Sequence, residues 1–211
     1  MKKLSAAALT LAAAVIIPLT TFSSAASAAS GRAQSVAPSL RSAAAAVTEQ
    51  KGRQLLKQQP GTKSDAVSCW SGVAIYSTAN GRYVSTELGY TGGDYAMLRA
   101  RATSVGPWER YVVCRDQANG LTDIISQANG RFVSAELGYG GGRYAMLRAR
   151  AASAGPWELF VTSANPGGHY TWIASQANGR YVSAELGYGG AYYGMLRARA
   201  TSVGPWEVYI W

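Results

Sequence analysis

An all-β fold built three times over is what this sequence predicts, and three observations carry the prediction. The first is an internal repeat, the feature to read before any other. The text Asn80-Gly81-Arg82-Tyr83-Val84-Ser85 leads through Glu87-Leu88-Gly89-Tyr90 and Met97-Leu98-Arg99-Ala100-Arg101-Ala102 to Gly106-Pro107-Trp108-Glu109. It returns from Asn129 to Glu158 and from Asn178 to Glu207. The offset is 49 residues each time, from Ala79 to Ala128 and from Ala128 to Ala177, and residues 128–162 share 25 of 35 positions with 177–211. The second is texture: short alternating apolar and polar runs set between Gly and Asn punctuation, the mark of short strands and tight turns. The third is the count. Each copy divides into four strand-like pieces, and three copies give twelve. Three four-stranded blades are too few to close a propeller. A closed six-stranded barrel capped by three hairpins, the β-trefoil, fits both count and length. A domain of ~143 residues buries roughly two-thirds of its surface, enough to be stable alone.

In the first copy the strands are expected at residues 73–78, 82–88, 97–102 and 109–113. Asn80-Gly81 is the tight turn between the first two, because Gly and Asn tolerate positive φ. Residues 89–94 form a longer glycine-rich turn and 103–107 a third. Along Met97-Leu98-Arg99-Ala100-Arg101-Ala102, the period of two puts Leu98, Ala100 and Ala102 inward and Arg99 and Arg101 outward. The repeats fall at about 65–113, 114–162 and 163–211, within a β domain spanning 68–211.

The chain before that domain reads differently. Residues 1–29 have the layout of a secretory signal peptide: Lys2 and Lys3, an apolar run over 4–19, then small residues at Ala26-Ser27-Ala28. The run is shorter than the ~20 residues of a membrane span and contains Pro18. Residues 30–67 are rich in Ala, Ser, Gln and Lys with no aromatic side chain, and read as a linker or pro-segment with partial helix over 38–59. Of the formal +9 charge, +6 lies before Cys69, counting Lys2 and Lys3. From Cys69 onward there are twelve Arg, no Lys and nine acids, a balance of +3. A nucleic-acid binder would carry a dense basic stripe on its folded part, so none is expected as partner. Two cysteines, Cys69 and Cys114, flank the first repeat. In an exported chain, an even count at the two ends of antiparallel strands predicts a disulfide. Two Cys and one His do not make a zinc site, and no cofactor is implied.

Asn-Gly-Arg-Tyr-Val at the head of the repeat and Gly-Pro-Trp-Glu-x-(Tyr/Phe) at its end resemble the repeat of fascin-like β-trefoils, over residues of about 69–211. The resemblance implies a β-trefoil. Eukaryotic members are intracellular actin bundlers with several tandem trefoils, whereas this sequence has one trefoil and an export signal. Similar trefoils occur in secreted bacterial polysaccharide-degrading enzymes, where the implied role is glycan binding. The Gln-x-Trp motif of the related ricin-type trefoils is absent.

Catalysis is not expected. His169 is the sole histidine and sits in an insertion at 165–170 of the third copy. The acids recur threefold, whereas a glycosidase needs one carboxylate pair across one bond. Trp108, Trp157 and Trp206 are expected in the core, as buried aromatics at strand starts. The neighbouring Glu109, Glu158 and Glu207 either pair with a repeated Arg or cap the turn. Binding is assigned to the glycine-rich turns. Tyr90, Tyr139 and Tyr188 follow Leu-Gly; Tyr95, Tyr144 and Tyr193 precede the Met-Leu-Arg strand; Glu87, Glu136, Glu185 and Arg99, Arg148, Arg197 are near enough to bond sugar hydroxyls. Three weak equivalent sites gain avidity of ~10²–10⁴ on a polymer. The expected function is non-enzymatic binding of a polysaccharide or cell-surface glycan outside the cell. The alternative is an actin-like or other protein partner, met through an asymmetric patch around His169, Tyr170 and Trp172.

Overall fold

The computed structural model describes residues 67–211. The expected signal peptide and the partly helical stretch lie outside those residues. Fourteen strands form one antiparallel sheet system. In the first copy they are β1 (Val67–Val73), β2 (Tyr76–Ser77), β3 (Arg82–Glu87) and β4 (Met97–Ala102). β5 (Tyr111–Asp116) closes the first copy and runs into the second, which has β6 (Leu121–Ser126), β7 (Arg131–Glu136), β8 (Met146–Ala151) and β9 (Phe160–Thr162). The third has β10 (Tyr170–Thr171), β11 (Ile173–Ser175), β12 (Tyr181–Glu185), β13 (Met195–Ala200) and β14 (Tyr209–Ile210).

Eight of these strands close a barrel through the pairings β1–β5–β6–β9–β11 and β10–β14–β2. Two staves are interrupted. Near the end of β1 the chain bulges at Gly72, in the left-handed region at φ 73°, where the register shifts between Ser71 and Val73, and the stave breaks at Ala74 and Ile75 before β2. Between β10 and β11 it breaks at Trp172, just after residues 165–170, which equal the other copies in length and so are a substituted turn rather than the expected insertion. Three hairpins, β3–β4, β7–β8 and β12–β13, cap one end, and β4, β8 and β13 pair with one another around a pseudo-threefold axis. The fold is therefore all-β and trefoil-like, as the repeat predicts.

The core repeats with the sequence. Ile75, Ile124 and Ile173, Val84, Val133 and Val182, Leu98, Leu147 and Leu196, and Tyr111, Phe160 and Tyr209 all lie in one buried cluster. Each set is spaced by 49 residues, so the barrel interior is one layer pattern written three times. Tight turns follow the Asn-Gly signal: Gly81, Gly130 and Gly179 sit at φ 66°, and the Asn80, Asn129 and Asn178 side chains donate to the Ala100, Ala149 and Ala198 carbonyls.

The expected strand at 109–113 is displaced. Pro107–Glu109 forms a 3-10 turn, and the strand starts only at Tyr111. The Gly106 N–H donates to the Glu109 carboxylate at 2.8 Å, with the same contact at Glu158 and Glu207. Of the two roles considered for these acids, the structure selects the cap. The turn also reverses the expectation for the tryptophans. Trp108, Trp157 and Trp206 are 39%, 46% and 53% exposed, and Tyr111, Phe160 and Tyr209, three residues on, fill the barrel instead.

Cys69 and Cys114 face each other across β1–β5 and are bonded. Crosslinking residues 45 apart stabilises by about 4 kcal/mol in the chain-entropy account.

Candidate functional site

The glycine-rich turns, expected to carry binding, are first of all the joints of the trefoil. Arg99, Arg148 and Arg197, expected to face outward, are 6%, 5% and 6% exposed. Each lies on the outer face of its hairpin, but the glycine-rich turn of another copy covers it. Arg148 donates from Nε to the Tyr95 carbonyl at 2.8 Å, from Nη2 to the Gly92 carbonyl at 3.1 Å, and from Nη1 to the Tyr139 hydroxyl at 2.8 Å. Arg197 repeats this on Tyr144, Gly141 and Tyr188. Arg99 closes the circle on Tyr193, Gly190 and Tyr90. Buried guanidinium is tolerated only where acceptors replace its water, and the turns supply them. The backbone repeats the circuit: Ala149 donates to Ala96, Ala198 to Ala145 and Ala100 to Gly194.

The expected Tyr–Glu–Arg clusters are therefore divided into two groups. Tyr90, Tyr139 and Tyr188 spend their hydroxyls on the buried arginines, while the Tyr95, Tyr144 and Tyr193 rings remain 39–40% exposed. Glu87, Glu136 and Glu185 turn to a different arginine. Both oxygens of Glu87 accept from Arg101 Nε and Nη2, those of Glu136 from Arg150, and those of Glu185 from Arg199. The carboxylates are buried and the arginine side chains 43–49% exposed. The bonded carboxylate raises the pKa of each of these arginines, so the fork is held charged.

A cleft of about 400 Å³ lies against this second group in the third copy, lined by Ser183, Glu185, Leu186, Gly187, Arg199 and Trp206. An exposed indole beside a fixed, charged fork offers a flat apolar face for stacking and N–H donors for oxygens. The 49-residue spacing puts the same residue types at Trp108 with Arg101 and Glu87, and at Trp157 with Arg150 and Glu136. Sequence reasoning had all these residues in hand and assigned the tryptophans to the core. The overlooked signal was Glu three residues after Gly in Gly-Pro-Trp-Glu, a capping pattern that makes a turn where a strand was expected.

A second, smaller cleft of about 260 Å³ opens at the threefold end between Gly140, Gly142, Arg143, Tyr188, Tyr192 and Met195. The equivalent positions 94, 143 and 192 hold Asp, Arg and Tyr, and they bond to one another: Arg143 donates to Asp94 and Tyr192, and Tyr192 to Asp94. Among the described residues no group of three or more His, Cys, Asp or Glu is placed to hold a metal. No described helix is long and apolar enough to cross a membrane.

No protein-family model matches the sequence, and no curated protein matches it. Solved structures do. A designed threefold-symmetric protein, ThreeFoil, matches with a TM-score of 0.52 at 14% identity, over 65% of this chain and 94% of that one. A Caenorhabditis elegans protein of unknown function matches at 0.54 and 12% identity, over 71% and 97%. An exo-β-1,3-galactanase from Clostridium thermocellum matches at 0.52 and 14% identity, over 66% of this chain and only 29% of that enzyme. At such identities these likenesses speak for a trefoil-like fold and for nothing finer.

Proposed function

We propose that this protein is an exported, non-catalytic, fascin-like β-trefoil that binds a polysaccharide, with Trp108, Trp157 and Trp206 as the sugar-stacking platforms. The observation that carries the reading is the repeated exposure of those three rings, each in a copy whose Glu–Arg pair is held rigid by two hydrogen bonds. Large aromatic rings are costly to leave in water, and a fold that needed only its core to repeat has no use for three of them outside. Three such sites on one body suit a polymer, since linked weak contacts multiply avidity by ~10²–10⁴. The Tyr95, Tyr144 and Tyr193 rings form a second contact surface at the threefold end.

The test is retention of the purified protein on insoluble cellulose, xylan, chitin and β-glucan, with single, double and triple Trp→Ala variants. Stepwise loss with each ring removed is expected. Retention that survives the triple variant, or moves only with Tyr95, Tyr144 and Tyr193, refutes the assignment of the site.

A protein partner is the second reading, and one observation favours it. Residues 165–170 match the other copies in length but not in sequence, and they present Tyr170 at 71% exposure, beside exposed His169 and half-buried Trp172. Co-sedimentation with filamentous actin, lost in Tyr170→Ala and kept in the triple Trp variant, decides for it.

A further inference from the structure

We propose that the polymer recognised at the three tryptophan sites is an acidic polysaccharide, one bearing carboxylate or sulfate groups along its length; this rests on the site assignment just made. Composition hides the reason. The described residues hold nine acids against twelve arginines, a near balance, but folding sorts the two signs to different places. Glu87, Glu136, Glu185, Glu109, Glu158, Glu207, Asp116 and Asp123 are all buried. The ninth, Asp94, is half-buried and bonded to Arg143. Not one described acid is in the exposed class. Seven arginines are: Arg101, Arg110, Arg131, Arg143, Arg150, Arg180 and Arg199. Among the described residues the charged groups that reach solvent are therefore nearly all guanidinium, four of the seven held in ion pairs with less exposed carboxylates.

The sites follow the same rule. In each, the Glu oxygens are consumed by the Nε and Nη2 donors of the arginine. That ion pair is neutral as a unit but dipolar, with the carboxylate inside and the guanidinium outside. Nη1 has no bond among the described residues. In the cleft of the third copy the groups offered to a ligand are an indole face, guanidinium N–H donors and one hydroxyl, that of Ser183. A guanidinium has no acceptor to offer, and its strongest partners are charged oxygens. A carboxylate or sulfate brings only acceptors and meets those donors with charged oxygens, which a neutral sugar hydroxyl does not. Nucleic acid is also a polyanion. The arrangement favours a glycan because the Arg101, Arg150 and Arg199 forks, each with its tryptophan, recur once per repeat about the pseudo-threefold axis, whereas a nucleic-acid strand calls for a continuous basic groove.

The test measures binding of the full chain to polygalacturonate, dextran sulfate, neutral dextran and a single-stranded RNA, at about 20 and about 300 mM salt, where the screening length changes severalfold. Variants are the triple Trp→Ala protein and Glu136→Gln/Arg150→Gln, which replaces both ions by amides and leaves no unpaired buried charge. Unfolding midpoints confirm that each variant is folded. Binding to polygalacturonate, to dextran sulfate or to both, weakened at least tenfold by the higher salt, lost in the triple Trp variant and lowered severalfold in the amide pair, is the expected result; which of the two polymers is retained names the anionic group. Trp-dependent binding to neutral glycans alone overturns the acidic assignment and leaves the site standing. Binding to acidic polymers that ignores the tryptophans overturns both. RNA bound as tightly as the acidic glycans overturns the choice of macromolecule.

Discussion

Asp123 makes the sharpest demand on this structure. It lies on β6 opposite Cys114 of the disulfide, has no solvent exposure, and neither carboxylate oxygen has a hydrogen-bond partner among the described residues. Its counterparts 49 residues away are Ala74 and Trp172, so nothing in the repeat requires it. Burial raises its pKa from 3.8 to about 8. The folded protein therefore holds a proton that the unfolded chain releases above pH 4. Where the folded state binds more protons, stability falls as pH rises. It should be greatest below the unfolded value, decline by roughly 1.4 kcal/mol per pH unit between about pH 4 and pH 8, and level off above. By pH 7 the loss amounts to roughly 4 kcal/mol. Asp123→Asn keeps the shape and removes the titration. It should match the wild type near pH 4 and exceed it by roughly 2–4 kcal/mol at pH 7. Urea unfolding, followed by tryptophan fluorescence with the disulfide intact at several pH values, reads the difference directly. Parallel pH profiles for the two proteins would mean that Asp123 is ionised or paired in the folded state, and the reasoning would fail.

Other consequences are simpler. Trp157→Ala should cost less than about 1 kcal/mol of stability, while Phe160→Ala, in the barrel, should cost about 3–5 kcal/mol; comparable losses would return the tryptophans to the core. Arg148→Lys should destabilise by roughly 2–3 kcal/mol, since one ammonium cannot reach Tyr95, Gly92 and Tyr139 in the geometry of the guanidinium fork; an unchanged urea midpoint would refute the joint. Gly194→Ala should destabilise by about 1–3 kcal/mol, because an added Cβ would lie 2.5 Å from the Ala100 carbonyl oxygen at φ 73°. The reverse changes, Ala96→Gly or Ala145→Gly, relieve positive φ and should sit within about 1 kcal/mol of the wild type by thermal unfolding.

The repeat, the strand periodicity and the Asn-Gly turns were enough to state an all-β, threefold, trefoil-like barrel and a bond between Cys69 and Cys114, because these depend on local backbone preference and on the spacing of apolar residues. What no period of two could reveal is which outward position stays outward. Arg99 and Arg101 alternate with the same apolar residues and look alike in sequence. One is buried because a glycine-rich turn from a copy 98 residues distant in the repeat (two offsets of 49) folds over it. The other stays at the surface, fixed to Glu87. The tryptophans show the same limit: a three-residue turn capped by Glu109 rotates the chain enough to send the ring out and Tyr111 in. Sequence alone determined the elements and their number. The tertiary structure decided the sign of the surface and the place of the site, because burial of a side chain depends on what another copy brings across the axis.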